Sequence, residues 1–329
     1  MKLMPMVSLA LGLLLVVMVS LLIGSTPVSL GEVAAAFSGN ASQLVSTIVL
    51  EIRLPRVLLA LLVGAGVATA GAAIQALFRN PLADPALIGV SSGAALFGSG
   101  FIVLGFGNGA LGVIGIPGAA FVGGLVATGL VLEIGRRGGT ISSMLLGGIA
   151  INAIAIAGVG VFSYLSSDLQ LRSVAFWALG SFGAASWPDV GVAMLIPVAV
   201  LVMFFDSDRL NVMTLGDAEA GHLGIAVSTL RLRMVVLTAI VVGIGVSLAG
   251  IIAFVGLVVP HLVRLVLGSN HRNVIPGSAL LGGVLVVVAD CASRVVVAPA
   301  ELPVGILTAL IGGPFFIYLI IEQKGRLGL

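Results

Sequence analysis

The chain has 329 residues, of which 59% are hydrophobic and 9% charged, with a formal net charge of +2 and a mean hydropathy of +1.27. A soluble domain needs roughly a quarter of its residues charged to solvate its exterior, so a water-soluble fold is excluded, and the small net charge gives no basis for nucleic-acid binding. The single Cys291 excludes a disulfide within the chain and a cysteine-based metal cluster, and His222, His261 and His271 are too scattered for an evident metal site.

An apolar run from Pro5 to Gly24 follows Lys2. It is long enough to cross a bilayer, which takes about 20 residues, and no small-x-small site follows at signal-peptide spacing. It is read as the first membrane helix. Further spans are predicted at 54–78, 88–106, 117–135, 140–164, 189–205, 234–255, 257–268, 274–296 and 306–322, ten in all. The run 257–268 is too short to cross alone, and Pro260 predicts a bent or interrupted region there. The fold class is therefore an all-α polytopic membrane protein, one transmembrane domain over 1–329. Its 46 glycines suit close helix packing.

Lys and Arg set the orientation. With the N-terminus cytoplasmic, only Arg53, Arg56, Arg172 and Arg294 fall outside. The other 11 of the 15 fall inside, namely Lys2, Arg79, Arg136, Arg137, Arg209, Arg231, Arg233, Arg264, Arg272, Lys324 and Arg326. Both termini are accordingly expected in the cytoplasm.

Three polar stretches interrupt the apolar pattern. Arg53-Leu54-Pro55-Arg56 opens the second span on the outer side, as a pair of interfacial anchors or as a cationic knob facing an acidic partner. Arg79-Asn80-Pro81-Leu82-Ala83-Asp84-Pro85 closes that span, and its two prolines impose a turn. The long inner loop, about 206–233, contains Leu215, Gly216, Asp217, Ala218, Glu219, Ala220, Gly221, His222, Leu223 and Gly224. Asp217 and Glu219 suit the first turn of a short helix, and Gly221 and Gly224 suit its end. The loop is either plainly solvated or a knob for a cytoplasmic partner. Within the spans, Gln75 and Asn152 are expected to hydrogen-bond between helices, and Asp290 and Arg294, four apart, can pair on one face.

No G-x-x-x-x-G-K-[ST] phosphate loop occurs, and no H-E-x-x-H, G-x-S-x-G or paired-carboxylate arrangement falls in a plausible pocket, so no catalytic residue is assigned and uphill transport needs energy from elsewhere. A proton- or sodium-coupled carrier would need repeated intramembrane ionisable groups, which the spans lack. A purely structural membrane protein would leave the inner loop and outer arginines without a purpose.

Seven motifs in order make the chain resemble the permease subunits of bacterial ABC importers for iron-siderophores, heme and cobalamin. They are Arg53–Arg56, Gln75 with Arg79–Pro85, Gly89–Ala94, Phe176–Ser181, Leu215–Gly224, Phe254–His261 and Glu301–Gly305. The resemblance covers about residues 30 to 322. It implies a homodimer of ten-helix subunits in the bacterial inner membrane, with the solute path along the dimer axis. It also implies two copies of a separate ATPase on the cytoplasmic face and a periplasmic substrate-binding protein. Leu215–Gly224 would be the segment that seats in the ATPase, and Arg53, Arg56 and Arg294 would pair with glutamates of the binding protein. The texture of Leu165–Trp177 and of Ala298–Pro303 resembles heme permeases most, with ferric siderophores and cobalamin as alternatives. Arg172 at the outer mouth is then a candidate partner for a heme propionate, or else an interfacial anchor. Heme would be cargo, with no tight axial ligand in the channel and no resident cofactor or metal.

Overall fold

The computed structural model describes residues 3–24, 26–105 and 110–327. Lys2 lies outside them, and so do the side chains of Lys324 and Arg326. Among the described residues there are helices and no strand. In a bilayer this follows from the need of every backbone polar group for an internal partner.

Helix α1 (Leu3–Leu22) is followed by the short α2 (Leu30–Phe37) and the long α3 (Gln43–Leu77). Next come α4 (Val90–Val103), α5 (Ala110–Gly138), α6 (Ile141–Leu165) and the short α7 (Asp168–Ala178). Helix α8 (Trp187–Phe205) leads to two short helices, α9 (Ser207–Met213) and α10 (Asp217–His222). The chain finishes with α11 (Val227–Ala249), α12 (Val255–Leu267), α13 (His271–Ser293) and α14 (Val304–Leu327).

Among the described residues, seven helices are long and apolar enough to cross a membrane, and three shorter apolar ones occupy Val90–Val103, Val255–Leu267 and Val304–Tyr318. These ten overlap the ten predicted spans. Two starts lie well ahead of the predicted ones: α3 begins at Gln43 and not at 54, and α11 begins at Val227 and not at 234. Arg231 and Arg233 lie in its first turns, where their guanidiniums pair with Asp217 and Asp206, so the helix runs on past the apolar stretch.

Helix α3 is the centre of the bundle and is buried on nearly every side between Val57 and Leu77. Its middle is small, from Gly64 to Ala73, which lets neighbours approach to backbone contact. A Cβ on Gly71 would stand 1.8 Å from the carbonyl oxygen of Gly256 on α12, so only glycine fits. Helices α1, α6 and α8 instead expose Leu11, Leu14, Leu15, Ile154, Ile156 and Leu201, the pattern of lipid-facing elements.

Near its outer end α3 widens into a π-type turn at Thr47–Arg53. There the Leu50 carbonyl accepts the indole N–H of Trp187 at 3.1 Å, tying the start of α8 to it.

Helices α4 and α12, with 14 and 13 residues, reach only about 20 Å at 1.5 Å per residue, short of a hydrocarbon core of about 30 Å. Irregular backbone precedes each. Before α4 stands a 3₁₀ turn, Pro85–Ile88. Before α12 the chain is unwound from Gly250, and Phe254 takes a left-handed φ of 65°, uncommon for a non-glycine residue. Non-helical backbone at this depth must be covered by protein. Here Ser181 N–H donates to Ala249 O at 2.8 Å and Gly305 N–H to Leu179 O at 3.1 Å.

Candidate functional site

The functional candidates lie at the two ends of α3, whose 24 residues from Leu54 to Leu77 span about 36 Å. At the inner end the predicted short helix is present as α10. Gly216 enters it with φ 130°, a backbone value that side chains disfavour. A Cβ there would also stand 2.2 Å from the Glu219 carboxylate. Asp217 and Glu219 occupy the first turn and His222 the last, each on the side the helix dipole favours. Ala220 is fully buried and anchors the element, while Ile225 N–H closes it on Ala220 O at 3.0 Å. What remains outward is a compact mixed surface: Leu215 and Leu223, each 63% exposed, with Ala218, Glu219, Gly221 and His222 between them in the chain and Gly224 just after.

This knob is braced from below. Asp217 accepts from Arg231 at 2.6 Å and lies 3.8 Å from Arg79 of the proline-bounded turn. Asp206 is buried between Arg209 and Arg233, the latter at 2.9 Å. Asp208 accepts from Arg272 at 2.6 Å, and His271 N–H donates to Asn211 at 2.8 Å, which fixes α9 to the start of α13.

At the outer end the structure differs from the expectation of an outward-facing cationic knob. Arg53, Arg56 and Arg294 are each only 5% exposed. Arg53 donates to the carbonyls of Leu21 at 2.7 Å and Leu22 at 3.1 Å, and to that of Thr26. Arg294 donates to Ser20 O at 3.2 Å, Ile23 O at 3.0 Å and the Ser20 hydroxyl at 2.6 Å. The last carbonyls of a helix have no partner within it, and its C-terminus favours positive charge. The two guanidiniums therefore cap α1. The fully buried Asp290 binds Arg56 at 2.9 Å and Arg294 at 3.2 Å, so the i,i+4 pair expected from sequence exists and gains a third member. Arg56 also reaches Glu301 at 2.9 Å, and Glu301 is 44% exposed.

Arg172 lies exposed on α7. That helix starts with a Ser167/Gln170 capping box, and Gln170 also donates to Ile102 O and Val103 O at 3.2 and 3.1 Å, capping the end of α4. Among the described residues no cluster of three or more His, Cys, Asp or Glu could hold a metal ion.

Residues 12–322 match the FecCD transport family. The chain belongs to that family. It is 44% identical over 324 residues to the hemin transport system permease protein HmuU of Yersinia pestis, covering 96% of both chains. The vitamin B12 import system permease protein BtuC of Citrobacter koseri is 38% identical over 323 residues, covering 96% of this chain and 94% of that one. A solved structure of an inward-facing conformation of a metal-chelate type ABC transporter superposes with a TM-score of 0.87 at 31% identity, over 96% of this chain and 98% of that one. The motif resemblance to permease subunits of ABC importers is thus shown, and this FecCD-family chain is a multi-pass membrane protein.

In this FecCD-family chain Gln75 bonds between helices as expected, with partners that the sequence did not name, and the contact of Arg79 with Asp217 was not read from sequence. Gln75 donates to Gly256 O at 3.2 Å and Leu257 O at 3.3 Å and accepts from Arg264, joining α3 to α12. Arg79 meets Asp217. Both motifs had been assigned to the cytoplasmic end, and opposite charge at one end is the signal that pairs them. Asn152 does bond between elements, donating to Ala86 O at 3.1 Å and pairing with Ser92.

Proposed function

We propose that this chain is the membrane permease of an ATP-driven importer in the bacterial inner membrane, working as a homodimer, and that its cargo is heme. A binding protein outside would deliver the solute, and two copies of a separate ATPase inside would supply the energy. The observation that carries the reading is the 44% identity to a hemin permease over 96% of both chains, set against 38% for the vitamin B12 permease.

The mechanism follows from differential affinity for two states. When ATP closes the ATPase pair, force enters through α10. Leu215 and Leu223 give that helix an apolar grip, Glu219 gives it charge register, and Ala220 prevents it from sliding over the bundle. The braces through Asp217, Asp206 and Asp208 pass the displacement to α11 and α13. A flat apolar macrocycle with two propionates needs an apolar path and few fixed cations, and Arg172 is the outer residue proposed to meet a propionate. A binding protein that brought glutamates to the outer arginines would compete with Asp290 and Glu301 for Arg56, with Asp290 and the end of α1 for Arg294, and with backbone carbonyls for Arg53. Arg56, through the half-exposed Glu301, is the one within reach. Such rim pairs would set orientation and encounter rate more than affinity.

The test is uptake into proteoliposomes holding the permease, its ATPase and its binding protein, with hemin, cyanocobalamin and a ferric hydroxamate compared. ATP-dependent accumulation of hemin alone is expected, and accumulation of cyanocobalamin or hydroxamate in its place refutes the choice of cargo. Glu219→Arg should cut ATPase binding and uptake while leaving membrane insertion intact. Unchanged binding and uptake in that variant refute the docking role of α10.

A further inference from the structure

We propose that Arg79 is a positioning residue of the coupling end, the link through which movement of α10 reaches the central helix α3. The role presupposes the ATPase docking proposed above and adds the route by which it acts.

Arg79 sits just past the end of α3, in a left-handed conformation with φ 49°. Its own N–H donates to Ala76 O at 3.2 Å, and that of Asn80 donates to Gln75 O at 3.1 Å. The turn is therefore fixed to the last turn of α3. From this base the guanidinium extends to the start of α10. One nitrogen lies 3.8 Å from Asp217 Oδ1, and the other would be 3.4 Å from a Cβ on Gly216.

The two oxygens of Asp217 are treated unequally. Oδ2 accepts from Arg231 at 2.6 Å. Oδ1 is buried and has no hydrogen-bond donor among the described residues. A covered carboxylate oxygen without a donor is unfavourable, and Arg79 stands about 1 Å beyond charge-assisted hydrogen-bond distance. A shift of α10 toward the end of α3 by about that amount closes the bond. Movement of α10 is thus coupled to α3, and α3 is coupled to α12 through Gln75 and through the Gly71–Gly256 contact. The two motifs that carry Arg79 and Asp217 become parts of one device.

An exposed pair with no mechanical role would contribute almost nothing, which gives the alternative a distinct signature. The experiment uses the complete reconstituted complex and measures ATPase-subunit affinity, ATP hydrolysis and solute uptake per ATP. For Arg79→Ala, affinity should hold within about twofold and hydrolysis should persist, while uptake per ATP falls about tenfold, within the usual range for coupling between sites. Arg79→Lys keeps the charge and should recover at least about half of the ratio. An unchanged ratio in Arg79→Ala overturns the link alone, as does Arg79→Lys behaving no better than alanine. Unchanged ATPase affinity in Glu219→Arg overturns the docking role, and the link falls with it.

Discussion

Replacing Asp290 by asparagine removes one negative charge from the place where two buried guanidiniums converge. The side chains of Asp290, Arg56 and Arg294 are 0%, 6% and 5% exposed, so solvent screens little of the loss. Breaking a buried ion pair from one side costs about 3–5 kcal/mol, because the remaining charge is left without compensation. The two arginines fare differently. Arg56 keeps Glu301 at 2.9 Å, whereas Arg294 keeps only backbone carbonyls, the Ser20 hydroxyl and the Cys291 sulfur. The expected loss therefore falls at the low end, about 3 kcal/mol. At about 2–4 °C per kcal/mol for larger domains, Tm should drop by about 6–12 °C. The assay is thermal unfolding of the purified chain in detergent, followed through the fluorescence of Trp177 and Trp187. Glu301→Gln, which removes the half-exposed partner, should give a much smaller drop. A change below about 1 °C for Asp290→Asn would refute the view that this carboxylate holds α1, α3 and α13 together.

Gly71→Ala should separate α3 from α12, because the methyl would enter the Gly256 carbonyl. A loss of at least about 1–3 kcal/mol is expected on unfolding in detergent, while Gly12→Ala, where a methyl meets nothing within 4 Å, should leave stability unchanged. Equal behaviour of the two variants would refute the close approach.

The spans were legible because a run of about 20 apolar residues has few alternatives in a chain this poor in charge. The position of α10 was legible too, since Asp217 and Glu219 ahead of Gly221 and Gly224 write a short helix locally. The fate of the outer arginines was not. Sequence shows Arg53 and Arg294 as cations at helix ends but cannot show that backbone carbonyls of α1 receive them, because a carbonyl carries no residue signature. Asp290 with Arg294 was readable from its spacing, whereas Arg56 is 234 positions from Asp290 and only the fold brings it near. The boundary at α11 failed for a related reason. Arg231 and Arg233 look like the end of a loop until their aspartate partners are known.

The widened turn at Thr47–Arg53 has a consequence for how this span tolerates changes in length. A π-type turn holds about one residue more than an α-helical one, so losing a residue there would restore ordinary winding and swing only Gln43–Ser46. The same loss between Leu54 and Leu77 would rotate one part of the helix against the other by about 100° and carry Gly71 off Gly256. Insertions and deletions are therefore absorbed only in the outermost stretch of α3, and Arg53 marks where that freedom ends.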